Sequence, residues 1–229
     1  MYFLLSGEGP TDIGSGDAPG PMSVIVDQIV EGKYGYSFLE AECMGFVPKR
    51  VLAERGKELK PPRKSPRIPG KKKAKETLYF FQNARALADI AKEKQAALKD
   101  DVVAVLFRDA DGAASDGRGL WENKRHSMIA GFEIEDFPNG VPMIPKPKSE
   151  AWLICALKKN PYHGCKKLEE RSGNDDSPNP LKRELAQILD GEVSAGTLCE
   201  KVRAKEVDID KIDMPSLKAF RDRLEEVIG

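Results

Sequence analysis

The sequence is poor in the features that most often announce a function. No apolar run approaches the roughly 18–20 residues a membrane span requires. The four cysteines, Cys43, Cys155, Cys165 and Cys199, are scattered with no CxxC pair. That spacing argues against a disulfide framework or a zinc site and makes a reducing cytoplasm the expected setting. His126 and His163 are isolated, so neither is assigned a catalytic role. Net charge is absent as well: 37 Lys and Arg balance 37 Asp and Glu, and only the distribution of charge is informative. The opening MYFLLSGEGPTD lacks a basic leader and a small-residue cleavage site, so no signal peptide is expected. There is no internal repeat and no GxxxxGK[ST] phosphate loop. What is present is 229 residues, 40% hydrophobic, enough for one sizeable domain or one domain with an appended piece.

Residues 2–6 (YFLLS) form a short apolar run that stops at Gly7-Glu8-Gly9-Pro10, the pattern of a buried strand and a tight loop. Met22, Ile25, Val26, Ile29 and Val30 follow helical spacing, and 37–44 reads as a second strand. Residues 46–75 are crowded with Lys, Arg and Pro, offer little to a core, and read as a basic loop or flexible insertion. A helix is expected over 76–99, with Leu78, Phe81, Ala84, Leu87, Ala88 and Ala91 on one side. The run VVAVLF over 102–107 does not alternate, so it predicts a strand covered on both faces, as in a parallel sheet. A helix over 120–132 and a short strand over 140–145 follow. Ser149-Glu150 then reads as the cap of a further helix. The remainder reads as helical with a polar loop near 171–180, ending in an amphipathic stretch through Leu217, Phe220, Leu224 and Val227. Strands alternating with helices predict an α/β fold: a mostly parallel sheet flanked by helices over 1–155, and a helical extension over 156–229.

Both sharp strand-to-loop junctions end in acids: Glu8 after the first strand, Asp109 and Asp111 after the central one. Functional groups of open parallel sheets collect at the carboxyl ends of strands. If those two strands are neighbours, three carboxylates meet at one edge and repel unless a cation lies between them. A hard divalent ion with water and phosphate oxygens completing its shell is the simplest solution.

The segments EGPTD, RDADG and PKSEAW, in that order and in those contexts, resemble a Toprim domain, a Rossmann-like fold. The form they resemble is that of OLD-family nucleases and of small standalone Toprim proteins in phage-defence operons. The resemblance covers about residues 1–155 and implies a nuclease using Mg²⁺ or Mn²⁺. By that resemblance Glu8, Asp109 and Asp111 would hold metal, and Asp12 and Glu150 would complete a first or second metal site. Lys148 would contact the scissile phosphate, and Glu8, Asp109, Asp111, Lys148 and Glu150 would form the catalytic set. Position 12 is Asp where Glu is commoner, and the basic insertion lies outside a minimal Toprim domain. The missing phosphate loop implies that any partner ATPase is a separate chain, for which an exposed helical tail would offer a docking surface. Nucleic acid is the implied substrate, and self-association stays open.

Plainer readings exist for each residue. Asp and Gly are ordinary turn formers, Glu8 could cap the first helix, and Glu150 sits where a helix dipole favours an acid. Gly7 and Gly9 would let backbone approach a ligand, and Trp152 reads as core. The basic stretch suggests backbone contact with nucleic acid. FRDADG also resembles the first motif of haloacid-dehalogenase phosphatases, although Ala113 follows it and Glu8 would then have no role. A non-catalytic nucleic-acid-binding or partner subunit, with a structural acidic cluster, is the alternative from another class. A Toprim transferase or primase is a third, with no template-handling or zinc module to support it.

Overall fold

A computed structural model describes residues 1–16, 18–60, 75–111 and 119–229. In chain order the elements are β1 (Tyr2–Ser6), β2 (Gly14–Ser15), β3 (Ala18–Pro19), α1 (Pro21–Tyr34), β4 (Met44–Val47), α2 (Lys49–Glu58) and α3 (Lys75–Leu98). They continue with β5 (Val102–Phe107), α4 (Gly119–Ile134), β6 (Gly140–Met143), α5 (Ser149–Leu157), α6 (Leu181–Ile188), α7 (Ala195–Arg203) and α8 (Pro215–Ile228). Strands β4, β1, β5 and β6 form one sheet in that order, and every neighbouring pair is parallel. The fold is therefore α/β, with a parallel, Rossmann-like sheet flanked by helices. β2 and β3 make a separate antiparallel pair within the first loop.

All six residues of β5 are buried, as its unbroken apolar run requires. Successive side chains alternate between two cores. Phe3, Leu5, Val103, Val105, Phe107, Val141 and Met143 face a cluster built with α1, α5 and the C-terminal helices. Leu4, Val102, Ala104 and Leu106 face a second cluster built with α2, α3 and α4. The small residues of α3 admit α4 closely: a Cβ on Gly131 would lie 2.7 Å from Ala84 Cβ and 2.5 Å from the Phe81 carbonyl. α1 starts with Pro21 in its first turn and ends at Gly35, whose φ of 79° only glycine adopts freely.

Several expectations are corrected. The strand expected over 37–44 begins only at Met44. The preceding segment is an anchored turn in which Ser37 Oγ and the Phe38 and Leu39 N–H groups all donate to the Asp27 carboxylate. The basic stretch is not simply a loop. Its start supplies β4 and α2, with Val47 and Leu52 in the core, and Arg55 is paired with Asp89 and Glu93 of α3. Residues 61–74 lie outside the described residues. Ser149 is not a cap but the first residue of α5, and no side chain caps that helix. The cysteines are not all free: Cys155 and Cys165 form a disulfide, brought together as the chain turns after α5. The apolar stripe of α8 is not exposed for docking, because Leu217, Phe220 and Leu224 belong to the same core as β1. Trp152 is fully buried there, stacked on Phe220, with its indole N–H donating to Ser216 Oγ. No helix among the described residues is long and apolar enough to cross a membrane.

Candidate active site

Because β1 and β5 are adjacent and parallel, with Ser6 opposite Leu106, both release their chains at the same sheet edge. Glu8 follows one strand end by two residues and Asp109 follows the other by two. The loop after β1 is shaped by packing. A Cβ on Gly7 would come within 2.4 Å of Ile13 Cγ1, so this glycine serves Ile13 rather than a ligand. At Gly9 the same atom would sit 3.7 Å from Asp12 Oδ2, an ordinary contact. Asp12 is fixed through its backbone: its carbonyl accepts from Met22 N–H at 2.9 Å, and a Cβ on Gly20 would strike that carbonyl at 2.3 Å. The carboxylate is thereby held at the start of α1.

The other acids are tied to the segment between β6 and α5. Asp109 Oδ1 accepts from the Ser149 N–H at 2.9 Å, which joins the end of β5 to the first residue of α5. Asp111, at φ 38°, donates its N–H to the Pro147 carbonyl and presents its carboxylate 3.5 Å from Lys148 Nζ. The same ammonium lies 3.1 Å from Asp175. Glu150 sits in the first turn of α5, and its Oε2 is buried with no hydrogen-bond donor among the described residues.

The electrostatics are those of crowded, partly desolvated acids. Burial raises Asp109 well above the ordinary carboxylate range, with Glu150, Asp111 and Asp12 adding to it and the Ser149 N–H opposing. Asp12 is pushed up to about 6, by burial first and then by Glu150 and Glu8. Burial also raises Glu8, against the pull of Arg108, Lys49 and Lys148. At Lys148, burial disfavours the charge, but Asp175, Asp111 and Glu150 outweigh it and the ammonium is held more tightly than usual.

Glu8, Asp12, Asp109, Asp111, Lys148 and Glu150 thus share one electrostatic neighbourhood. They are not closed around a common point. Among the described residues, no three His, Cys, Asp or Glu side chains are grouped as a ready metal site. The donor set still suits a hard divalent cation: every donor is a carboxylate oxygen, three carboxyls are driven toward their neutral forms, and Glu150 Oε2 has no partner among the described residues.

Four further residues act on this site without having been singled out. Arg108 is fully buried at the end of β5, with its guanidinium donating to the Phe107 carbonyl and to Asn83 Oδ1. A cation ending a six-residue apolar run was a usable signal. Lys49 belongs to the basic stretch but was not itself placed at this site, and Lys182 and Asp175 come from distant parts of the chain and carry no local signature. Comparisons with protein-family models, with curated proteins and with solved structures returned no match.

Proposed function

We propose that this chain is a Mg²⁺- or Mn²⁺-dependent nuclease of Toprim type that cleaves nucleic-acid phosphodiester bonds. One observation carries the reading. Half-buried carboxylates from two adjacent parallel strand ends and a helix start share one sheet edge with Lys148, and the buried oxygen Glu150 Oε2 has no hydrogen-bond partner among the described residues. Glu8, Asp12, Asp109, Asp111 and Glu150 would hold the cation. When bound, it would supply charge neutralisation for the reacting phosphate and lower the pKa of an attacking water. The Ser149 N–H commits Asp109 Oδ1 and so fixes the direction of that carboxylate. Lys148, already held cationic, would exchange Asp111 or Asp175 for a phosphate oxygen and stabilise charge developing on it.

The sequence resemblance extends the proposal to an antiphage effector that works with a separate ATPase in the cytoplasm. The Cys155–Cys165 bond is the observation against a reducing setting. A second reading has its own support: Lys148 pairs with Asp111 and Asp175, as it would in an acidic cluster of purely structural use within a partner subunit. The test is cleavage of plasmid DNA and total tRNA with Mg²⁺ or Mn²⁺, with wild type beside Glu8→Ala and Asp109→Ala. Cleavage lost in both variants supports the nuclease. Absence of both cleavage and Mn²⁺ binding in the wild type removes it and leaves the structural cluster.

A further inference from the structure

A cavity of ≈ 210 Å³ opens directly beside the acidic edge. Asp12 and Glu150 form its wall on the site side, so whatever fills it lies against the carboxylates described above. Its floor is apolar and rigid: Met22, Leu153, Leu185 and Leu198 are all buried core residues. Ser149 and Ser194 also line it, and Lys182 brings the one cationic side chain of the lining among the described residues. The enclosing elements are the loop after β1, the start of α1, and α5, α6 and α7, so the cavity lies where the C-terminal helices pack against the first loop and helix of the sheet domain.

We propose that this cavity seats one unstacked nucleoside of a single-stranded nucleic acid, next to the phosphate held at the acidic edge. The inference rests on the nuclease reading and adds the substrate class to it. Three features of the cavity select this occupant. Its volume is below the roughly 300–1,000 Å³ of pockets that enclose drug-sized ligands, so it admits a single planar ring system with part of its sugar. An apolar floor with the Ser149 and Ser194 side chains in the lining matches a base face and its polar edge, as in enzymes that take a nucleotide out of its stack. Lys182 supplies charge for a flanking phosphate, on the same side as two acids that would otherwise repel it. The cavity volume of ≈ 210 Å³ suits one base without its pairing partner, so the base must be unpaired to enter.

The experiment has a metal-free arm and a catalytic arm. AMP and UMP binding is measured in EDTA by equilibrium dialysis for wild type and for Ala195→Phe, which fills the cavity from the start of α7. Cleavage of single-stranded and duplex oligonucleotides of one sequence is then compared with Mn²⁺ present. The expected results are nucleotide binding weakened about tenfold in Ala195→Phe and clear preference for the single strand. Lys182→Ala, at an exposed position, serves if Ala195→Phe does not fold. In binding of a single-stranded oligonucleotide in EDTA, it should lower the slope of log affinity against log salt by about 0.7, the value for one phosphate contact on a single strand. Nucleotide affinity unchanged in both variants, or duplex cut as well as single strand, overturns the proposal. Cleavage without nucleotide binding removes the cavity assignment and leaves the nuclease. Nucleotide binding that Ala195→Phe abolishes, without cleavage by any form, supports the cavity assignment and removes the nuclease instead.

Discussion

Replacing Asp12 with Asn should make the metal-free protein more stable, and only above about pH 4. Asp12 is pushed from its ordinary 3.8 to about 6 by burial and by the Glu150 and Glu8 carboxylates, against Lys182 and Lys148. A carboxyl whose folded pKa is raised favours the native state while it is protonated. That contribution is complete below about pH 4 and is lost as the pH rises through 6. The shift corresponds to at most about 3 kcal/mol lost by wild type between those limits, since each unit is worth about 1.4 kcal/mol and solvent screening of this half-buried carboxyl reduces it. Asn keeps the shape and carries no charge, so the variant should gain up to that amount at pH 8 and nothing at pH 4. In melting temperature this is a gain of roughly 6–12 °C for a chain of this size. Proton sharing with Glu8, Asp109 and Glu150 will broaden the transition without changing its sign. The assay is urea unfolding of wild type and Asp12→Asn in EDTA at pH 4, 6 and 8. Excess Mg²⁺ should then close the gap at pH 8 from the wild-type side, by about 2.7 kcal/mol at a hundredfold excess over Kd. A variant less stable than wild type at pH 8, or a difference that does not vary with pH, would refute the electrostatic account of this edge.

Other outcomes follow from single contacts. Lys148→Ala should lower kcat by about a hundredfold or more on cleavable nucleic acid, with Mn²⁺ binding retained in calorimetry. Gly7→Ala should lower unfolding free energy by roughly 1–3 kcal/mol in urea, because its Cβ would press on Ile13 at 2.4 Å. Trp152→Phe leaves Ser216 Oγ without its indole donor in a dry core, and a loss of roughly 1–3 kcal/mol is expected in the same assay. Alkylation of the unfolded, unreduced protein followed by mass measurement should label Cys43 and Cys199 and spare Cys155 and Cys165.

Much of the frame was legible in the sequence because it depends on local pattern. VVAVLF could only be a strand covered on both sides, and the abrupt change from apolar run to Gly and acid marked where β1 and β5 end. Helices α1, α3 and α8 announced themselves through 3.6-residue spacing, and Glu8, Asp109 and Asp111 could be named from where they follow the strands, whereas Asp12, Lys148 and Glu150 were named only through the family resemblance. Local pattern misled where a tertiary partner took over. Residues 37–43 look like a strand until Asp27 gathers their donors, and the polar face of α2 hides one buried residue, Leu52.

Tertiary structure alone decided the rest. That β1 and β5 are neighbours, and so bring Glu8 and Asp109 to one edge, is a matter of sheet order, which no short window contains. The reach of Lys182 and Asp175 into that edge, the cavity between α1 and α5, α6 and α7, and the Cys155–Cys165 bond all depend on how the C-terminal helices pack. Periodicity states which face of a helix is apolar, but not which face of the sheet will cover it. That choice is made by the summed burial of the whole chain, and it is what places Asp12 and Glu150 beside an apolar cavity rather than beside open water.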